Sequence, residues 1–223
     1  MTIIERALEL VSQHSLIGLG SGRAAQAFVR ALGEKVRSGA IRVCGVPTSD
    51  ETASLARKVG IPLSTLADAP LLDVTVDGAD EVDPSLDLIK GYGRAMVREK
   101  VVATSSRSFV VLVGKEKLVS QLGTRGKLPV EVLPFALPTC QRKLQELGCR
   151  PMIWAKNGHA LMTDNGNYIL DCIVEPIADT TRLESSLRAI PGVVGTGLFL
   201  EMAHVVLVGS DETFELIDER RRA

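Results

Sequence analysis

Residues 16–23 have the sequence LIGLGSGR, in which a short apolar stretch runs directly into closely spaced glycines. The apolar residues predict a buried strand from Leu16 to Gly20, and the helical spacing beyond them predicts a helix from Arg23 to Val36. A glycine turn between a strand and a helix favours anion binding, because backbone N–H groups and the helix N-terminus both point at the ligand. This segment therefore predicts an α/β fold and a candidate phosphate site.

The alternation of strand and helix continues outward from this segment as far as residue 113. Strands are predicted at Ile41–Val46, Leu71–Val76 and Phe109–Val113, and helices at Thr2–His14, Glu51–Val59 and Arg94–Ala103. Almost wholly apolar strands separated by helices of about ten residues indicate βαβ units. We therefore expect a mostly parallel, Rossmann-like sheet flanked by helices, with ligands at the carboxyl ends of its strands.

The pattern changes after Gly123. Strands are predicted at Lys127–Phe135, Arg150–Lys156 and Tyr168–Val174, and helices at Leu137–Leu147 and Thr180–Ala189. This order predicts a smaller α+β domain with a split-βαβ, ferredoxin-like sheet. The apolar strand His204–Val208 is predicted to return to the first sheet, so residues 1–124 and 202–223 form the larger domain and residues 125–201 form an insertion.

Composition narrows the class of protein. The chain has 223 residues, 45% of them apolar, and 26 basic residues nearly cancel 27 acidic ones. This balance argues against disorder and against a nucleic-acid partner, and it favours a small-molecule ligand. No apolar run approaches a membrane span, and the four scattered cysteines spell out neither a zinc site nor a disulfide framework. We expect a cytoplasmic protein without a membrane partner.

The glycine turn, Ser21-Gly22-Arg23-Ala24, admits more than one function. A dinucleotide site requires a third glycine where Arg23 stands, and an acidic residue where Val46 and Pro47 stand, so that interpretation fails twice. A tight turn without any ligand remains an alternative, because glycines often serve packing alone. Arg23 beside the turn favours phosphate.

A second polar segment, Asp77-Gly78-Ala79-Asp80-Glu81-Val82-Asp83, follows the strand that ends at Val76. Its order is wrong for a calcium loop, and an exposed acidic turn is a competing interpretation. At the carboxyl end of a buried strand, however, its carboxylates are placed to accept hydrogen bonds from sugar hydroxyls.

Two further segments carry charge at strand ends. The loop Lys90-Gly91-Tyr92-Gly93 leads into a helix on whose apolar face Glu99 is predicted to lie, beside Val102. Burial of a carboxyl raises its pKa, as suits a general base, although pairing with a basic residue is an equal alternative. Lys115 and Lys117 follow Val113; one of them is a candidate to face the ligand, and exposure of both at the surface is the competing interpretation.

These segments together suit one chemistry. An anion cradle, hydroxyl-binding carboxylates, a buried base and lysines favour proton abstraction next to the carbonyl of a phosphorylated sugar. No cofactor and no metal are implied.

The chain also resembles a known family, the type A ribose-5-phosphate isomerases, from about residue 16 to residue 208. The segments that carry the resemblance are GLGSGRA (18–24), VPTSDETASLA (46–56), VTVDGADEVD (74–83), IKGYGRAMVREKVVA (89–103), LPVEVLPFA (128–136), DNGNYILD (164–171) and IPGVVGTGLF (190–199). The resemblance implies interconversion of ribose 5-phosphate and ribulose 5-phosphate in the pentose phosphate pathway, through a cis-enediolate, without metal or coenzyme. It also implies a homodimer or homotetramer.

The resemblance further implies residue roles. Glu99 matches the proton acceptor between C2 and C1. The implied substrate contacts are Ser21, Gly22, Arg23, Ala24, Asp77, Gly78, Ala79, Asp80, Lys90, Gly91, Tyr92, Gly93 and Lys117. Departures from the family pattern occur at Arg23-Ala24, where Ser-Thr is common, at Tyr92 and Arg94 in a loop that is commonly KGGGGA, and at residues 114–116.

Two other classes remain as alternatives. A sugar-phosphate sensor domain of a transcription regulator shares this architecture, but it normally follows a helix-turn-helix segment. An acyl-CoA-type transferase uses a glutamate on a related sheet, but on a longer chain or on paired subunits. Turnover of ribose 5-phosphate separates all three classes.

Overall fold

The computed structural model describes residues 1–11 and 16–209, together with the backbone of residues 214–219. The chain divides into two compact units. The first contains residues 1–79, 98–117 and 202–223, and the second contains residues 80–97 and 118–201. Relative to the boundaries predicted from the sequence, the second unit adds residues 80–97 and 118–124.

The elements alternate along the chain. The helices are α1 (Ile3–Val11), α2 (Gly22–Arg37), α3 (Asp50–Val59), α4 (Met96–Thr104), α5 (Leu137–Glu146) and α6 (Thr180–Arg188). The strands are β1 (Leu16–Leu19), β2 (Cys44–Pro47), β3 (Val74–Gly78), β4 (Glu81–Val82), β5 (Leu88–Ile89), β6 (Phe109–Val113), β7 (Lys127–Val132), β8 (Arg150–Ile153), β9 (Ala155–Lys156), β10 (His159–Ala160), β11 (Tyr168–Ile173), β12 (Val193–Thr196), β13 (Leu198–Phe199), β14 (Val205–Gly209) and β15 (Phe214–Glu219).

The first unit is built on a six-stranded sheet in the order β15-β14-β6-β3-β1-β2. Its first five strands in sequence, β1, β2, β3, β6 and β14, pair in parallel, and β15 closes one edge in antiparallel. The predicted mostly parallel sheet is confirmed, as is the return of the strand at 205–209. The last three residues of the predicted N-terminal helix, 12–14, lie outside the described residues.

Helices cover both faces of this sheet because strand side chains alternate between the faces. Ile17 and Leu19 of β1 join a buried cluster with α1, α2 and α3. Gly18 between them faces α4, where an added Cβ would lie 2.6 Å from Val102 Cγ1. Val102 packs in a smaller cluster on that side. Glycine at position 18 therefore lets α4 approach the strand closely.

Helix α4 begins at Met96 and not at Arg94, where the sequence pattern placed its start. Arg94 has φ +71°, in the left-handed region, and its N–H donates to the Gly91 carbonyl at 3.0 Å. A turn therefore precedes the helix, because a left-handed residue cannot continue a right-handed helix.

The second unit contains a four-stranded antiparallel sheet in the order β12-β7-β11-β8, with α5 following β7 and α6 following β11. This 4-1-3-2 order confirms the ferredoxin-like arrangement. Strand β7 ends at Val132, earlier than predicted, because Pro134–Ala136 forms a 3₁₀ turn before α5. Two small sheets, β13-β5-β4 and the hairpin β9-β10, were not predicted.

Each unit has its own apolar core. In the second unit Leu128 and Val130 of β7 pack with Leu170 of β11, Leu144 of α5 and Leu187 of α6.

In the part of the chain that the structure describes, no helix has the length and apolar character that a bilayer crossing needs.

Candidate active site

The parallel strands of the first unit bring three of the predicted segments to one edge of the sheet. Leu19 of β1 is in register with Val76 of β3, and Gly78 of β3 is in register with Leu112 of β6. The chain leaves β1 for β2 on one side and continues with β3 on the other side of β1. A crevice at such a reversal of strand order is the usual ligand site of an open α/β sheet.

Asp77 joins the glycine turn to the acidic segment. Its Oδ1 accepts hydrogen bonds from the Ser21 N–H at 3.1 Å and from the Gly78 N–H at 2.7 Å. The side chain is 0% exposed. A Cβ at Gly20 would lie 2.6 Å from Asp77 Cα, so the close approach of the two strand ends requires glycine there. The carboxylate therefore shapes the turn as well as lining the edge.

A cluster of hydroxyl groups lies behind the same turn. Ser21 Oγ donates to Ser49 Oγ at 2.8 Å and lies 2.8 Å from Thr48 Oγ1. Thr52 Oγ1 donates to the Gly20 carbonyl at 2.9 Å, and Ser49 caps α3 by accepting from the Thr52 N–H. The sequence analysis missed this cluster, although the Thr-Ser-Asp-Glu string before a helix is a capping signal.

The hydrogen bonds that Ser21 makes change the role expected for it in anion binding. Its N–H is used by Asp77 and its hydroxyl by Ser49, so both donors already have partners within the first unit. Gly22, Arg23 and Ala24 form the first turn of α2, whose N–H groups point out of the helix end. Arg23 is exposed there. Of the predicted residues 21–24, those at 22–24 therefore keep their helix-terminal N–H groups available for an anion.

The carboxylates of the acidic segment have different structural roles. Glu81 is buried, and its two carboxylate oxygens accept the N–H groups of Gly123 and Arg125. Burial raises the pKa of Glu81 above its usual 4.5, although the two backbone hydrogen bonds oppose this rise. Asp83 Oδ1 accepts from the Ser85 N–H at 2.9 Å and closes a local turn. Glu81 and Asp83 thus stabilise loops.

Glu99 lies in the first turn of α4 and is 4% exposed. Three residues further on, Val102 occupies the same face of the helix and packs on the sheet of the first unit. The predicted position of Glu99 on the apolar face is confirmed. Its neighbour Arg98 donates from Nη1 to Asp50 Oδ1 at 2.8 Å.

The structure separates the two lysines that follow β6. Lys115 and Lys117 are the ends of a single 3₁₀ turn, closed by the Lys117 N–H donating to the Gly114 carbonyl at 3.0 Å. Lys115 is exposed and Lys117 is half-buried. Lys117 is therefore the one held against the protein near the end of its strand.

The remaining predicted residues belong to the second unit. Lys90 is 3% exposed, and its Nζ lies 5.6 Å from the centroid of the Phe199 ring. Gly91 has φ +112°, and a Cβ there would lie 2.8 Å from Met96 Sδ, so the turn requires glycine. The half-buried Asp80 accepts from the Tyr92 N–H at Oδ2, at 2.9 Å, which ties the acidic segment to this loop.

Some contacts of the loop at residues 90–94, within the second unit, were not predicted at all. Asp171 and Lys127 of the antiparallel sheet contact the loop that contains Tyr92, as described below, and neither was singled out from the sequence. Among residues 1–11 and 16–209, no group of three or more His, Cys, Asp or Glu side chains is arranged to hold a metal ion.

The fold and the polar residues at its strand ends define an α/β protein of the class that places its ligand at the carboxyl edge of a parallel sheet. The family model for ribose 5-phosphate isomerase A (phosphoriboisomerase A) matches residues 44–213. The chain belongs to this family.

Relatives named ribose-5-phosphate isomerase A match almost the whole chain. The protein of Roseiflexus castenholzii is 50% identical over 215 residues, covering 95% of this chain and 92% of the relative. The protein of Gloeobacter violaceus is 46% identical over 217 residues, covering 97% and 94%.

Solved structures agree with the sequence comparison. Ribose 5-phosphate isomerase A of Methanocaldococcus jannaschii superposes with a TM-score of 0.91 at 39% identity, covering 98% of this chain and 97% of that one. A D-ribose-5-phosphate isomerase in complex with phospho-erythronic acid superposes with a TM-score of 0.93 at 38% identity, covering 98% and 96%.

Proposed function

We propose that this protein interconverts D-ribose 5-phosphate and D-ribulose 5-phosphate, with Glu99 moving the proton. Membership of the ribose 5-phosphate isomerase A family supports the reaction. The related structure that binds phospho-erythronic acid supports a phosphorylated sugar as the substrate class. The observation that carries the role of Glu99 is its burial on the apolar face of α4.

The chemistry needs one base that works twice. Glu99 takes the proton from C2 of the open-chain aldose, and the electron pair moves to the carbonyl at C1 to give a cis-enediolate. The same carboxyl group returns the proton to C1 as the C2 oxygen becomes the ketone, and the proton of the C2 hydroxyl passes to the C1 oxygen, so no atom is gained or lost. A buried carboxylate suits this task, because excluding water keeps the base close to the carbon-bound proton and strengthens its interaction with it.

The other residues of the first unit have supporting roles in this proposal. Asp77, Gly78 and Ala79 contact the sugar, and Asp77 assists opening of the furanose ring. The amides of Gly22–Ala24 and the Arg23 guanidinium bind the phosphate. Lys117 contributes a positive charge that favours the anionic substrate and enediolate.

Asp80 and the loop of residues 90–93 are proposed as further substrate contacts. The Lys90 ammonium is proposed to stabilise negative charge on the substrate. We also propose that the protein acts in the cytoplasm, in the non-oxidative pentose phosphate pathway, as a homodimer or homotetramer. Family membership supports these statements, and sedimentation of the purified protein tests the oligomer.

A substrate panel tests the proposed reaction. The purified chain is incubated with ribose 5-phosphate, unphosphorylated ribose and glucose 6-phosphate, and ketose formation is followed. We expect turnover of ribose 5-phosphate at least about 10²-fold more efficient, in kcat/KM, than that of ribose, because the phosphate contributes binding energy. Binding without turnover would indicate the sensor class instead, and turnover only with an acyl-CoA would indicate the transferase class.

A further inference from the structure

The loop of residues 90–94 is bonded to the antiparallel sheet through its two bulky side chains, Tyr92 and Arg94. Arg94 donates from Nη1 to Asp171 Oδ1 at 2.6 Å and from Nη2 to Asp171 Oδ2 at 2.9 Å. Asp171 is in β11, and the two side chains are only 17% and 16% exposed. The Arg94 guanidinium also lies over the Trp154 ring, 5.0 Å from its centroid. An arginine that makes bidentate hydrogen bonds to a carboxylate and stacks on an aromatic ring fixes the orientation of the two groups as well as their distance.

Tyr92 makes the second attachment. Its hydroxyl donates to the Lys127 carbonyl of β7 at 3.1 Å, and Lys127 Nζ lies 4.0 Å from the centroid of its ring. Lys127 Nζ also lies 3.5 Å from Asp171 Oδ2. The four side chains of Tyr92, Arg94, Lys127 and Asp171 therefore form one connected group, which we call the loop anchor.

The backbone flanking and including these attachments has two residues with positive φ. Gly91 has φ +112°, and Arg94 has φ +71°. A residue with a side chain is unfavourable in the left-handed region, and such a residue persists where surrounding contacts hold it. The paired bonds of Arg94 to Asp171 are contacts of this kind.

We propose that Arg94 and Tyr92 are positioning residues that hold residues 90–93 in the substrate-binding conformation, by fastening the loop to Asp171 and Lys127 of the antiparallel sheet. This inference rests on the proposed function, in which Lys90 and Gly91–Gly93 contact the sugar phosphate. The anchor lowers KM, because a loop that is already in place loses less conformational freedom on binding. A loop that is competent only part of the time weakens apparent affinity by that fraction.

Kinetics of anchor variants test the proposal. Arg94→Ala and Asp171→Asn are each expected to raise KM for ribose 5-phosphate about tenfold while kcat stays within about twofold, because the reacting groups are untouched once substrate is bound. The double variant is expected to lose clearly less than the two single losses combined, because both substitutions remove the Arg94–Asp171 interaction. Arg94→Lys keeps the positive charge but not the bidentate geometry of the guanidinium, and its KM is expected to lie between those of wild type and Arg94→Ala. An unchanged KM in Arg94→Ala, or additive losses in the double variant, would overturn the proposal.

A matched control comes from the same unit. Arg142 and Glu146 of α5 form an exposed ion pair with an Nη1–Oε1 distance of 2.6 Å, and neither belongs to the loop anchor. Arg142→Ala is expected to leave KM and kcat unchanged, because exposed ion pairs contribute little. A similar rise in KM in this variant would show that any lost ion pair in the unit has the effect, and would overturn the specific role of Arg94.

Hydrogen exchange separates failure of this inference from failure of the proposed function. In Arg94→Ala, the amides of Tyr92 and Arg94 are expected to exchange about tenfold faster, whereas amides of β7 and β11 keep their protection. Should Arg94→Ala not fold, Arg94→Lys carries the same measurement. If the wild-type protein does not isomerise ribose 5-phosphate, the proposed function fails while exchange still tests the anchor. Unchanged exchange at Tyr92 and Arg94 would overturn the anchor itself.

Discussion

Asp77 Oδ1 lies 3.1 Å from the nitrogen of Ser21, a residue 56 positions earlier in the chain, and accepts its N–H. This bond connects the carboxyl ends of β1 and β3, where the strand order of the parallel sheet reverses. It gives Asp77 a structural task, shaping the glycine turn, in addition to its proposed contact with the sugar.

Two substitutions at Asp77 separate these tasks. Asparagine keeps an oxygen that accepts both N–H groups, so Asp77→Asn is expected to fold normally but to lose at least about tenfold in kcat/KM, because the charge is gone. Alanine removes the acceptor as well and is expected to lower the free energy of unfolding by about 1–3 kcal/mol. Urea unfolding measures the free energy of unfolding of each variant, and initial rates measure its kcat/KM. Full activity in Asp77→Asn would remove Asp77 from the proposed substrate contacts.

Arg23 is exposed in the first turn of α2, beside amides that point out of the helix end. Arg23→Ala is expected to raise KM for ribose 5-phosphate about tenfold with little change in kcat, because a charge-assisted contact to phosphate acts on binding. An unaltered KM would place phosphate recognition elsewhere.

The lysines at the two ends of one 3₁₀ turn form a natural pair for comparison. Lys117→Ala is expected to lower kcat/KM at least about tenfold, since the half-buried lysine is proposed to act on the substrate. Lys115→Ala, at the exposed end of the same turn, serves as the control and is expected to stay within about twofold. Equal losses in the two variants would point to a general charge effect instead.

Glu81 predicts a pH dependence of stability. Burial raises its pKa in the folded protein above 4.5, so the folded state binds this proton more tightly than the unfolded chain does. Stability from this group is therefore fully present at acid pH and falls as pH rises from about 4.5 through the raised pKa. In urea unfolding between about pH 4 and about pH 8, the stability of wild type relative to Glu81→Gln is expected to fall with pH. A rise with pH would contradict the sign.

The sequence predicted those parts of the molecule that depend on local patterns. A continuous apolar run identified the first strand, predicted to end at Gly20 and ending at Leu19, and helical spacing identified the following helix, predicted from Arg23 and beginning at Gly22. Helical spacing also identified the apolar face that carries Glu99, because burial imposes such patterns directly on the residues involved. The parallel sheet and the ferredoxin-like insertion followed from the order of such segments.

Contacts between distant residues could not be predicted in this way. The bond between Arg94 and Asp171 spans 77 positions and depends on a left-handed backbone at Arg94, which no spacing rule reveals. Strands of two residues, such as Glu81–Val82 and Leu198–Phe199, are too short to show a period. The hydroxyl cluster around Ser21 arises only because β1 and the start of α3 lie together.

Isomerisation of ribose 5-phosphate in D₂O tests the role of Glu99 most directly. Wild type is compared with Glu99→Gln, and both kcat and the deuterium content at C1 of the product are measured. Wild type is expected to incorporate deuterium, because the abstracted proton passes through a carboxyl group that exchanges with solvent. Glu99→Gln is expected to keep the wild-type urea midpoint while kcat falls at least about 10²-fold and deuterium incorporation falls with it. A Glu99→Gln protein that retains full kcat and labels its product like wild type would contradict the account.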